Sequence, residues 1–231
     1  MKIGIIVLCR YNSTRLYGKI LKNIKNKPII QHIIDRLKIV KGNYPIFIAT
    51  SNQKDDNPIV NYCNKNKINF FRGSKTNVAY RFLKCAINME LDYAIRINGD
   101  NLFTDPYIID KMIKLTKLKK WIFLTNILDR TFPEGISVEI VKVSKMKKEI
   151  ENFNKFEKEH VMPFFDKNLK NDEIFNLKND KFLNSSKIKL ALDTNEDLER
   201  FTQVFSNMDK PAYSYRTNEI INIITNMETN S

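Results

Sequence analysis

The chain has 231 residues, enough for one large domain with its own core, and 39 Lys and Arg against 26 Asp and Glu leave a formal charge of +13. That excess suits nucleic acid, acidic lipid or a polyphosphate alike, but the lysines are spread with asparagine through every segment, as in NYCNKNKINF, and so single out no partner. Three widely spaced cysteines, Cys9, Cys63 and Cys85, argue against a disulfide framework or a zinc cluster, and no apolar run reaches membrane-spanning length, which points to a cytoplasmic protein.

In chain order, KIGIIVL predicts a buried strand over Ile3 to Leu8, followed by the loop CRYNSTRLYGK. PIIQHIIDRLKIV then places Ile29, Ile30, Ile33, Ile34 and Leu37 on one helical face. Further strands are predicted at Pro45 to Thr50, Asn69 to Phe71, Tyr93 to Ile97 and Ile122 to Thr125, and helices at Pro58 to Lys65, Val78 to Met89 and Pro106 to Leu118. This alternation predicts a mostly parallel sheet with helices on its faces. After about Arg130 the pattern changes. GISVEIVKV alternates as a half-buried strand, EKEHVMPFF reads as helix up to its proline, and KIKLALD as a last strand returning to the main sheet before the capped helix TNEDLERFTQVF. A single domain over 1–231 is expected, with an insertion around 130–186 that carries a dimer interface and part of a pocket.

Three segments carry chemistry. In the first loop Gly18 permits a tight turn, Arg10 and Arg15 offer forked donors, Lys19 a point charge, and Ser13 and Thr14 neutral donors, a set suited to phosphate oxygens. The same composition also fits a solvated surface loop. In AIRINGDNLFTDP, Asp100 stands at a strand's carboxyl end, placed to hold Mg²⁺ against phosphate, although Gly-Asp-Asn is also common turn composition. In LALDTNEDLER, Asp193 ends an apolar run and is either a second acidic ligand or a helix cap. His32 lies among isoleucines and reads as structural, and Cys9 as a small buried thiol.

These segments, in this order, resemble the cytidylyltransferases that make CMP-activated acidic sugars, such as CMP-KDO and CMP-sialic acid synthetases, and most of all the branch of spore-coat polysaccharide biosynthesis proteins. The likeness runs through CRYNSTRLYGK, IATS at Ile48 to Ser51, FRGS at Phe71 to Ser74, RINGDNLFTDP, FPEGISVEI, EHV at Glu159 to Val161 and LALDTNEDL, and so covers nearly the whole chain. It implies a nucleotide-diphospho-sugar transferase-like, Rossmann-like α/β fold and a homodimer acting on CTP and an anionic acceptor, with no nucleic acid or membrane partner. The resemblance also assigns residues: Cys9, Arg10, Ser13, Arg15, Lys19 and Arg72 to the nucleotide, Asp100 and Asp193 to Mg²⁺, and Arg81, Glu139 and His160 to the acceptor. Arg10, Lys19, Asp100 and Asp193 are the expected catalytic set. Asn77, Tyr80 and Ser137 stand where that branch carries aspartates, which implies an acceptor pocket that has lost negative charge and takes a carboxylate- or phosphate-bearing acceptor, held partly by Arg81.

Two rivals remain on sequence grounds. A nucleotide-sugar-dependent glycosyltransferase would need a close aspartate pair, and those of NGDNLFTD are too far apart. A basic nucleic-acid-binding module would need its cations gathered into one stripe.

Overall fold

The computed structural model describes residues 1–179 and 185–229. Its elements in chain order are β1 (Ile3–Leu8), β2 (Asn23–Ile24), β3 (Lys27–Pro28), α1 (Ile29–Lys38), β4 (Ile46–Ser51), α2 (Asn57–Lys65), β5 (Phe70–Gly73), α3 (Val78–Asn88), β6 (Tyr93–Asn98), α4 (Pro106–Leu118) and β7 (Phe123–Thr125). They continue with β8 (Glu139–Lys142), α5 (Val143–Glu149), α6 (Lys155–His160), α7 (Pro163–Asn168), β9 (Ile174–Asn176), α8 (Asn195–Ser206) and α9 (Thr217–Thr229).

Seven strands form one sheet in the order β5-β4-β1-β6-β8-β7-β9. β4 and β6 flank β1 in parallel, β5 pairs parallel with β4, and β8 alone runs antiparallel, between β6 and β7. Side chains of a strand alternate between faces, and β1 feeds both cores accordingly. Ile3, Ile5 and Val7 pack under α1, α2, α4, α8 and α9, whereas Ile6 and Leu8 pack under α3, α5 and α7. Helices therefore cover both faces, as the sequence pattern predicts.

From β1 the chain moves to β4 and β5 on one side, then crosses to β6 on the other. The loops after β1 and β6 therefore diverge, and a crevice opens between them at the carboxyl ends of the strands, where open α/β sheets hold ligands.

The second half departs from the sequence pattern in three places. GISVEIVKV yields ladder pairing only from Glu139, because the Asn126 side chain takes the preceding backbone groups, accepting from Val138 N at 2.8 Å and donating to Ile136 O at 2.8 Å. KIKLALD is no strand of the main sheet. It makes an isolated bridge from Lys189 to Glu134, and Leu192 N donates to Asp100 O at 3.0 Å, so the run forms a strap across the strand ends. EKEHVMPFF breaks at Val161, which takes a positive φ of 76°, and Pro163 opens α7 instead of ending α6. Of the expected insertion around 130–186, residues 180–184 lie outside the described residues.

Candidate active site

The first loop is built around Tyr11. Its carbonyl accepts from Ser13 N and Gly18 N, both at 2.9 Å, and its own N–H donates to Asp56 Oδ1 at 2.6 Å. Asp56 Oδ2 accepts from Ser51 N at 2.8 Å, so one buried carboxylate ties the loop to the end of β4. These hydrogen bonds hold the Asp56 carboxyl below its usual range although burial alone would raise it. Gly18 closes the loop with φ 66°, a conformation that costs a glycine little. At the neighbouring strand end Gly99 lets the backbones approach, since a Cβ there would lie 2.6 Å from that of Cys9.

These loops bring the expected ions together. Asp193 is buried, and Thr194, not Asp193, caps α8, so the Asp193 carboxylate is available to the first-loop cations, although it does not itself line the cavity above them. Its Oδ1 lies 2.8 Å from Arg15 Nη2 and 3.3 Å from Lys19 Nζ. Lys19 Nζ also donates to Leu192 O at 2.8 Å and lies 3.7 Å from Asp100 Oδ2. Two carboxylates thus converge on one ammonium. Burial raises the Asp100 carboxyl, Lys19 pulls it back, and Asp193 adds to the rise. Asp193 is held from behind: its backbone N–H donates to Asp197 Oδ2 at 2.8 Å, and that oxygen also lies 2.6 Å from Lys189 Nζ.

A cavity of ≈ 740 Å³ opens above these groups, and Cys9, Arg10, Ser13, Arg15, Lys19, Asp100, Arg81 and His160 all line it. Among its described lining residues, eight are Lys or Arg and two, Asp100 and Glu159, are carboxylates, so it suits an anionic ligand. Burial pushes the Cys9 thiol up, so it stays protonated and lies within the core as a packed group. His160 sits at the exposed rim with its ring 4.3 Å from that of Phe156, one residue before the strained Val161. His32 is structural, with Nε2 3.0 Å from Ile24 O and its ring edge-on to Phe205.

Arg72 and Glu139 lie outside this cavity, and Arg81 is shared with a second one. The Arg72 guanidinium is taken up by Ser51 O, Gln53 O and Asn57 Oδ1, and it lines an adjoining cavity of ≈ 610 Å³ that shares Arg81. Arg81 is buried, donates to Ser74 O at 2.8 Å, and has an Nε without a partner among the described residues. Glu139 is buried beneath Arg96, to which it is paired, and does not line the main cavity. Of the three positions where the resemblance implies aspartates, only Asn77 lines that cavity, where its side chain caps α3. Tyr80 faces the adjoining cavity, and the Ser137 backbone carbonyl accepts from Asn101. The expected loss of negative charge therefore applies to this cavity at Asn77 alone. Local sequence patterns miss Asp56, which anchors the first loop, and Arg96, which lines the cavity.

The cytidylyltransferase family profile matches residues 4–223. A protein of Methanocaldococcus jannaschii is 30% identical over 210 residues, 90% of this chain and 85% of its own. The spore coat polysaccharide biosynthesis protein SpsF of Bacillus subtilis is 27% identical over 227 residues, 95% of this chain and 92% of its own. The solved structure of a cytidylyltransferase from Leptospira borgpetersenii superposes with a TM-score of 0.91 at 29% identity, over 99% of this chain and 96% of that one.

Proposed function

The chain belongs to the cytidylyltransferase family of CTP-dependent nucleotidyltransferases, and from that premise we propose that it transfers CMP from CTP to a sugar acid, with release of pyrophosphate and with Mg²⁺ as cofactor, in the making of a surface polysaccharide. One observation carries this reading: Arg15, Lys19 and Asp100 line one cavity rich in cations, and the buried Asp193 is paired to both Arg15 and Lys19 just beneath it.

In that reading the triphosphate lies against the first loop. Arg10 is exposed, and the Arg15 side chain is 64% exposed, so both can swing to phosphate oxygens without uncovering core. Lys19 is fixed by Leu192 O and adds a positive charge beside the phosphates at little cost in reorganisation. The acceptor oxygen forms a bond to the α-phosphorus as the bond to the pyrophosphate oxygen breaks, and the leaving charge falls on the first-loop cations.

Asp100 and Asp193 fit a magnesium ion. They are two hard oxygen donors already close enough to share one cation, and magnesium needs only one or two carboxylates when phosphate supplies other ligands. Bound there, the ion would neutralise phosphate charge and hold the triphosphate in line for attack.

The test is pyrophosphate release from CTP and Mg²⁺ with KDO, N-acetylneuraminic acid and neutral hexoses as acceptors. Release with an acid and none with the hexoses is the expected result. Release that needs no acceptor, or that follows a neutral sugar, would contradict the reading.

A further inference from the structure

The floor of the main cavity holds a cation that neither the first loop nor the aspartates account for. Arg96 lies on β6 opposite Glu139 on β8, on the sheet face where its neighbours Ala94, Ile6 and Phe123 are buried core. A charge in such a face costs heavily unless it is paired. Glu139, whose side chain is 2% exposed, accepts from Arg96 Nη1.

The pairing leaves donor capacity on the guanidinium, since Arg96 Nε has no partner among the described residues. Glu139 Oε1 and, on α7, Asp166 Oδ1 are likewise buried without a partner there, but as acceptors they do not call for an anion. Arg96 lines the cavity, whereas Glu139 and Asp166 do not. The carboxylates therefore stand behind the guanidinium, and only the guanidinium is presented to a ligand. The position also separates Arg96 from the triphosphate cations. Arg10, Arg15 and Lys19 come from the loop beyond the strand end, while Arg96 lies four residues before Asp100, inside the sheet edge, on the face covered by α3, α5 and α7.

Resting on the CMP-transfer reading, we propose that Arg96 binds the carboxylate of the sugar acid, and that Glu139 is a positioning residue that aims its guanidinium into the cavity. A planar fork held on one side by a carboxylate can still offer its free edge to a second, with geometry that an ammonium cannot reproduce. The acceptor specificity of this chain is thus written on β6 as well as in the loops.

The experiment measures binding of KDO and of its methyl ester by saturation-transfer NMR, with and without CTP, and binding of CTP by calorimetry. The proteins are wild type, Arg96→Lys, Glu139→Gln and the double variant Arg96→Met with Glu139→Gln, which removes both buried charges together so that neither is left unpaired. Wild type is expected to prefer the acid to the ester. The double variant is expected to bind the acid about tenfold more weakly or worse, the loss of one charge-assisted hydrogen-bonded pair, while its CTP affinity and melting temperature stay near wild type. Arg96→Lys is expected to fall between them, and Glu139→Gln to weaken the acid alone by a smaller factor. Equal acid affinity in wild type and the double variant would overturn the proposal. So would a wild type that binds CTP but shows no binding of the acid, or no preference for it over the ester. A wild type that fails to bind CTP strikes the CMP-transfer reading instead, and the titration without nucleotide then still decides whether Arg96 holds the acid.

Discussion

At the scale of single residues, the site depends on where carboxylates find their cations. Asp193 is shared by Arg15 and Lys19, while Asp197 and Lys189 fix its backbone and flank. Asp193→Asn keeps this scaffold, since Thr194 caps the helix, and removes one negative charge from the crevice. It is expected to fold normally and to lose turnover by about a hundredfold or more, with a smaller change in CTP affinity, because charge moves toward pyrophosphate mainly in the transition state. Melting temperature and single-turnover rate measured together check this, and near-normal turnover would leave Asp193 outside the chemistry. Asp166 gives a pH signature of a different kind. Burial, and then Glu139, push its carboxyl up to about 7, with Arg96 and Lys167 pulling the other way. A carboxyl whose folded value is raised favours folding while protonated, so it costs stability progressively as pH rises from the ordinary carboxylate range to about 7, and fully above that. Asp166→Asn is therefore expected to melt higher than wild type at pH 8 and to converge with it near pH 4. Equal melting temperatures at both values would contradict the assignment.

At the scale of elements, the legible parts were those whose signal is local. The first loop, Gly99–Asp100 and the run into Asp193 each follow an apolar strand-like stretch, and strand ends are where such groups collect. Asp56 and Arg96 were illegible because their partners, Tyr11 and Glu139, lie 45 and 43 residues away in sequence. The single strand expected over GISVEIVKV was shortened by Asn126, whose amide competes for backbone groups from more than ten residues upstream of the ladder, something periodicity does not register. α9 and β9 also lie outside the elements that the sequence pattern predicts. α9 buries Ile220 and Ile224 against the same core as α1. Its attachment runs through Arg36, which is buried and donates to Thr104 O at 2.6 Å, Ala212 O at 2.7 Å and Tyr215 O at 2.6 Å. Asp105 completes the joint by accepting from Thr217 N and Oγ1 at 2.9 and 2.8 Å. Arg36→Leu would leave three carbonyls without their donor, and a loss of about 3 kcal/mol or more is expected. Urea unfolding checks it, and an unchanged midpoint would mean that the apolar face of α9 and its Asp105 contacts hold it without Arg36.

At the scale of the whole molecule, one topological feature organises the function. The chain leaves β1 in one direction and β6 in the other, and the crevice so formed gathers the first loop, Asp100 and, through the strap at Leu192, Asp193. The net charge of +13 said little by itself, because lysine is spread over the surface, but the fold concentrates eight cations around one cavity. No helix among the described residues is long and apolar enough to cross a membrane. The central claim is that this cavity is a CTP site, and competition binding of CTP against UTP and ATP in the presence of Mg²⁺ tests it most directly. A preference for CTP of about tenfold or more, as one or two base-specific hydrogen bonds would give, is the expected result. Equal affinity for the three nucleotides, or no Mg²⁺-dependent binding of CTP at all, would contradict it.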